Sequence, residues 1–291
     1  MSYLALSFEV GSIDPEQAET NCFDIGALSV TFSDERDDAV LEPRPGEVRL
    51  WPHTRLTALF AAEQADAGLI VRLAAALGLA VERLQAQSVA DRAWEREWLR
   101  DFHAMRFGRR LWVSPRHETV HAADGVIVRL DPGLAFGTGT HPSTALCLTW
   151  LDGVPLSGLT VIDYGCGSGV LGIAALKLGA RCVHAFDLDP QALLATSENA
   201  ADNEVASALR ICEDAQQLPQ KCDVMVANIL SETLVALAPA LAARVSSGGS
   251  VLLAGILAPQ EPEVAACYSP WFDMGRFAAR DDWVALQGRR H

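Results

Sequence analysis

Alternation and helical spacing divide the chain into two differently patterned parts. Residues 3–10 (YLALSFEV) alternate apolar and polar side chains, as a half-buried strand does. Asp14-Pro15-Glu16 then offers an N-cap, a proline for the first helical position and an early acid, so a helix is expected there. Strands are expected at 28–33, 47–51 and 81–87, with a second helix from Asp66 to about Leu77, ahead of Gly78. The acidic stretch 34–47 carries two prolines and reads as a loop.

Residues 91–102 (DRAWEREWLRDF) form a charged amphipathic pattern with Trp94, Trp98 and Phe102 on one face. Strand-like RLWVSP (110–115) and VIVRLDPG (126–133) follow. From about residue 156 apolar strands alternate with helices. LTVIDY (159–164) precedes VLGIAALKLG, VHAFDL (183–188) precedes PQALLATSENAADN, and LRIC (209–212) comes next. DVMVAN (223–228), a helix over 231–245, the turn SSGGS and VLLAG (251–255) complete the series. Such alternation predicts an α/β fold with a parallel, doubly wound sheet. The tail places two short strand candidates around Asp281-Asp282, an antiparallel hairpin for one edge. The order β-α-β-β-α-β at the front is that of a ferredoxin-like split unit, an α+β domain. The expected organisation is therefore a small domain at 1–88, an interdomain helix and linker at 89–115, and the α/β domain at 116–291.

Composition narrows the function. The chain has 291 residues, half of them hydrophobic, and its apolar runs fall well short of a membrane span. The N-terminus lacks the basic segment and cleavage site of a signal peptide. Seven cysteines without a C-x-x-C spacing suit a reduced, cytoplasmic chain. A net charge of −14 argues against gripping nucleic acid by its phosphates. Residues 1–50 hold eleven acidic side chains against three basic ones, so a basic partner or a small-molecule site is favoured.

The chemistry centres on Asp163-Tyr164-Gly165-Cys166-Gly167-Ser168-Gly169, between an apolar strand and an apolar helix. Glycines let the backbone turn sharply and approach a ligand. Gly167-x-Gly169-x-x-Gly172 also fits the dinucleotide fingerprint. Asp187 ends the next strand, where a carboxylate can accept both ribose hydroxyls of an adenosine. Asp214 follows the third strand, near where an adenine would be read, and Asn228 ends the fourth. Asp163 separates the cofactors. A carboxylate entering the loop repels a pyrophosphate but suits a cationic sulfonium, so S-adenosyl-L-methionine is preferred over NAD.

Upstream, Asp131-Pro-Gly-Leu-Ala-Phe136-Gly-Thr-Gly-Thr-His141-Pro-Ser-Thr144 reads as a cover over the cofactor. Phe136 supplies an apolar surface, and Thr144 sits at a helix start with its hydroxyl toward a ligand. His117-Glu118-Thr119-Val120-His121 is a literal H-E-x-x-H, but Pro115, Gly125 and the β-branched pair leave no room for a full helix, so no metal is expected.

LDPGLAFGTGTHPST, VIDYGCGSGVLGIAALKLGA and DVMVANIL, in this order, resemble the PrmA-type methyltransferases of bacteria, which modify the large-subunit ribosomal protein L-eleven. WEREWLRDF followed by MRFGRRLWV is similar to that family's interdomain region. The resemblance implies a class I (Rossmann-like) methyltransferase sheet and cofactor contacts at Thr144, Gly165, Asp187 and Asn228. It also implies an N-terminal domain that holds the ribosomal protein, and methylation of lysine side chains and the N-terminal amine. Asn228-Ile229-Leu230 departs from the N-P-P-Y pattern of other amine methyltransferases, which puts an aromatic clamp on the target in doubt. Gly167, Asp163, Asp214 and Phe136 complete the expected cofactor site, Asn228 orients the amine, and the chain is expected to act as a monomer without nucleic acid or membrane. The alternatives are a class I methyltransferase with another substrate, a nicotinamide-dependent oxidoreductase, and a non-catalytic relic of the fold.

Overall fold

The computed structural model describes residues 2–34, 36, 51–64, 68–90, 103–130 and 140–291. Most of the acidic 34–47 stretch, Asp66, the 91–102 pattern and the segment holding Asp131 and Phe136 lie outside the described residues. The chain divides into two compact units, Met1–Trp94 and Glu95–His291.

In the first unit, β1 (Ser2–Glu9), α1 (Pro15–Asp24), β2 (Ser29–Asp34), β3 (Thr54–Ala61), α2 (Leu69–Leu77) and β4 (Gln85–Ala90) follow in the expected order. The sheet order is β2-β3-β1-β4, antiparallel throughout. Asp14 caps α1 by accepting the Gln17 N–H at 2.9 Å, and Pro15 opens the helix. Two strands move from their expected places. The third lies at 54–61, not 47–51; Trp51 precedes it and residues 47–50 lie outside the described residues. Its inward positions, Thr54, Leu56, Ala58 and Phe60, are all buried. Threonine and alanine at two of these four positions weaken the apolar alternation that would have revealed it. The fourth begins at Gln85 because Val81–Arg83 make a 3-10 turn, closed by the Leu84 N–H on the Val81 carbonyl. Leu6, Phe8, Leu56, Phe60 and Leu73 form the centre of this unit's core.

The second unit opens with β5 (Met105–Phe107), β6 (Leu111–Ser114) and β7 (Val126–Arg129), a small sheet in that order. Phe107, Leu111, Val113 and Val128 are buried in the same cluster as Leu148, Leu151 and Leu171. β6, expected within the interdomain linker, is thus part of this unit's core, as is β5, which the local pattern did not mark.

The main sheet is built from α3 (Pro142–Gly153), β8 (Thr160–Tyr164), α4 (Val170–Lys177), β9 (Cys182–Phe186), α5 (Pro190–Asp202), β10 (Leu209–Cys212), β11 (Cys222–Asn228), α6 (Ser231–Arg244), β12 (Val245–Leu257), α7 (Glu261–Tyr268), β13 (Phe272–Arg280) and β14 (Trp283–Arg290). Strand order is β10-β9-β8-β11-β12-β14-β13. The first five strands pair in parallel and the last two close one edge as an antiparallel hairpin. The expected SSGGS turn is absorbed into β12. Val245 pairs with Cys222 and Ser250 with Val224, so the residues between them bulge from the ladder. Val161, Ile162 and Asp163 of β8 are all buried, as befits a central parallel strand covered on both faces. From β8 the chain winds outward through β9 and β10, then returns to β11 on β8's other side. This reversal opens a crevice at the carboxyl ends of β8 and β11, where open sheets bind ligands. Among the described residues, no helix is long and apolar enough to cross a membrane.

Candidate active site

Three strand ends and one helix start converge on that crevice. The glycine loop leaves β8 and turns at once toward β9, because the Gly165 and Cys166 N–H groups both donate to the Phe186 carbonyl, at 2.8 and 3.0 Å. Gly165 has φ +77°, and a Cβ there would stand 2.2 Å from the Ile229 Cγ2. Only glycine lets the loop lie against the segment leaving β11. Gly169, at φ +78°, begins α4 without a side-chain cap.

Asp163 supplies what that helix start lacks. Its Oδ2 accepts the Gly172 N–H at 2.8 Å, satisfying one of the first-turn donors. The side chain is fully buried, and its Oδ1 has no hydrogen-bond partner. Burial pushes the carboxyl up to about 7, against the lowering effect of the Gly172 bond, and the nearby Asp187 adds to the rise. Asp163 was expected to face the cofactor. It lies beneath the loop instead, buried and bonded to the first turn of α4.

Asp187 stands just past β9. One oxygen accepts the Gly167 N–H at 2.9 Å and the other the Asp189 N–H at 3.0 Å. It is half-buried, tied to the loop yet open to the crevice. Sequence reading missed the floor of the loop. The Thr196 hydroxyl donates to the Gly167 carbonyl at 2.9 Å, and the Asn199 amide to the Ser168 carbonyl at 2.9 Å. Both side chains come from α5 and are buried, a polar pair on an otherwise packed face. That pairing was the available signal.

Asn228 closes the opposite side. Its side-chain nitrogen donates to the Thr144 Oγ1 at 3.1 Å, in the first turn of α3. Thr144 is buried, and His141 caps the same helix by accepting the Ser143 N–H on Nδ1 at 3.3 Å. Two exposed leucines lie beside these residues in the sequence. Leu188, next to Asp187, is 88% exposed, and Leu230, two residues beyond Asn228, is 48% exposed. Large apolar side chains held open beside polar strand ends suit the apolar faces of a ligand. Asp214 stands just past β10. It is exposed, and its carboxylate accepts the Gln216 N–H at 2.7 Å as the cap of a 3-10 turn.

The H-E-x-x-H run forms no helix. Glu118 accepts the Ala104 N–H at 2.9 Å and lies 3.6 Å from the His103 ring, which occupies its carboxylate structurally.

The family described as "Ribosomal protein L11 methyltransferase (PrmA)" matches residues 2–291. The chain belongs to this family. A ribosomal protein L11 methyltransferase of Alkalilimnicola ehrlichii is 52% identical over 269 residues, covering 91% of both chains. One from Pseudomonas aeruginosa is 48% identical over 283 residues, covering 96% of both. Among solved structures, ribosomal protein L11 methylase from Lactobacillus delbrueckii subsp. bulgaricus is 34% identical, with a TM-score of 0.60; the match covers 65% of this chain and all of that one. Membership in the L11 methyltransferase family accords with the strand-end residues gathered around the β8–β11 crevice, and it removes the nicotinamide-dependent reading of the glycine fingerprint.

Proposed function

We propose that this chain transfers methyl groups from S-adenosyl-L-methionine to amino groups of ribosomal protein L11, both lysine side chains and the N-terminal amine. The observation that carries the reading is the meeting of Gly165, Asp187 and Asn228 at the reversal of strand order, within a chain that matches the family from end to end. Their chemistry fits the cofactor. Asp187 offers carboxylate oxygens for two ribose hydroxyls. The glycine loop presents backbone where a Cβ could not stand. Asp163 holds a carboxyl poised to ionise beneath a cationic group. Bound S-adenosyl-L-methionine supplies a methyl on a positively charged sulfur, open to in-line attack by a nitrogen lone pair.

The remaining work falls to the chain. A free lysine is neutral only about once in ~2,500 molecules at pH 7, so the site must desolvate the ammonium and let it shed a proton. Asn228 has its amide nitrogen on Thr144, which leaves Oδ1 as the acceptor that orients an incoming amine. Proximity and desolvation carry the rate, and water takes the proton. Asp214, just past β10, is the residue assigned to the adenine edge.

The first unit reads as a ferredoxin-like domain, supported by its β-α-β-β-α-β order and its β2-β3-β1-β4 sheet. Its role is to recruit the basic substrate through the acidic first fifty residues. In this reading the chain acts as a cytoplasmic monomer. Incubating the protein with ribosomal proteins and methyl-labelled cofactor, followed by mass spectrometry, tests the proposal. Label on L11 amines supports it, whereas label confined to another protein or to small molecules overturns it.

A further inference from the structure

The tip of the β13–β14 hairpin stands at the same end of the sheet as the crevice. Trp283 pairs with Leu257, just beyond Ala254, which is the β12 partner of Asn228. The turn is made tightly. Asp281 takes φ +54°, a left-handed conformation uncommon outside glycine, and the Asp282 carbonyl accepts the Ala258 N–H at 2.9 Å. The hairpin tip is thereby tied to the exit of β12.

Trp283 is only partly buried, and its indole meets the His141 ring edge-on, with centroids 4.6 Å apart and planes at 71°. This is a favoured aromatic geometry. His141 is also the cap of α3, accepting the Ser143 N–H on Nδ1, which lies 2.8 Å from the Ser143 Oγ. Thr144, the next residue of that turn, receives the Asn228 amide. A continuous series of contacts therefore runs from Trp283 through His141 and the first turn of α3 to Thr144 and Asn228. The cap requires one particular orientation of the imidazole, and the indole packs against the ring in that orientation.

We propose that Trp283 is a positioning residue for methyl transfer. Its ring holds His141 in the capping orientation, which fixes the first turn of α3 and with it the Thr144–Asn228 pair. Without the indole, His141 swings off the cap, the turn frays, and Asn228 loses the partner that aims its amide. The inference rests on the proposed function, because Asn228 matters to rate only if the crevice is the methyl-transfer site.

The full-length chain and the variants Trp283→Ala, Trp283→Phe, His141→Ala and Trp283→Ala/His141→Ala test it, with Asn228→Ala as the reference for the site. Amide exchange of residues 141–146, read without cofactor, reports the structural link. It rises in Trp283→Ala and returns toward wild type in Trp283→Phe. Steady-state methylation of the ribosomal protein reports the catalytic consequence. Trp283→Ala lowers kcat about tenfold while KM for the protein stays within about twofold, since misplaced reacting groups cost rate rather than docking. The double variant is no worse than His141→Ala alone, because both changes break one series of contacts. Unchanged exchange at 141–146 in Trp283→Ala overturns the proposal whatever the cofactor does. So does raised exchange with wild-type kcat while Asn228→Ala is impaired. If neither Trp283→Ala nor Asn228→Ala alters cofactor binding or methylation, the assignment of the crevice falls, and the positioning role falls with it.

Discussion

The side-chain amide of Asn228 donates to the Thr144 hydroxyl at 3.1 Å, joining the end of β11 to the first turn of α3 across 84 residues of sequence. The bond ties one wall of the crevice to the other and commits the Asn228 side-chain nitrogen, leaving Oδ1 for the amine in the proposed reaction. Thr144→Val keeps the shape and removes the acceptor. The expected result is a loss of about 0.5–1.5 kcal/mol in transition-state stabilisation, the net scale of one neutral hydrogen bond. Single-turnover methylation rates check this, and a wild-type rate would remove the pair from the site.

Asp187 holds the Gly167 N–H and faces the crevice. Asp187→Ala should weaken S-adenosyl-L-methionine binding by about 1.5–3 kcal/mol, the scale for hydrogen bonds to a charged group. Calorimetric titration measures it directly, and an unchanged dissociation constant excludes Asp187 from the ribose contact.

Asp163 gives a pH dependence with a definite sign. Burial raises its carboxyl to about 7 in the folded chain, above its ordinary value of 3.8. The folded state therefore holds this proton more tightly than the unfolded state. The associated stability is fully present below pH ~4 and is lost as pH rises through about 7, at up to ~1.4 kcal/mol per pH unit. Asp163→Asn should remove that slope while keeping an oxygen for the Gly172 N–H. Denaturant titrations between pH 5 and pH 8, on both proteins, show whether the slope disappears. Cofactor affinity should run the opposite way. The ionised carboxylate attracts the sulfonium, so affinity rises through pH 7 in the wild type and stays flat in Asp163→Asn.

Glu204 ends α5 at φ +62°, where its N–H donates to the Ala201 carbonyl and the Val205 N–H to that of Ala200. This is the helix-ending position that glycine usually fills. Glu204→Gly should stabilise the chain by up to about 1 kcal/mol, raising Tm by roughly 2–4 °C, without effect on cofactor binding. Differential scanning calorimetry decides it, and a lower Tm would mean that the Glu204 side chain contributes more than its backbone costs.

A chain starting at Glu95, the first residue of the second unit, should bind S-adenosyl-L-methionine but lose most methylation of the ribosomal protein. Folding of the truncated chain is verified first by its thermal transition. The full-length reaction should also slow with added salt, because exposed charges are screened over ~8 Å at physiological ionic strength. Full methylation by the folded truncated chain would assign the acidic first unit another purpose.

Local patterns in the sequence determined much of this protein. Alternation, helical spacing and glycines placed Asp187 and Asn228 at strand ends, opened the loop after β8 and turned the tail into an edge hairpin. These are properties of neighbouring residues, so one chain read in order can reveal them. The same approach missed β3, whose small inward residues carry a weak hydrophobic signal. The tertiary structure alone decided that β11 returns beside β8, that Thr196 and Asn199 support the glycine loop, and that Asp163 turns under it to cap α4. It also brought Thr144 to Asn228 and Trp283 to His141. Each of those contacts joins side chains from separate elements, and their meeting depends on strand order and sheet packing, which no local periodicity encodes.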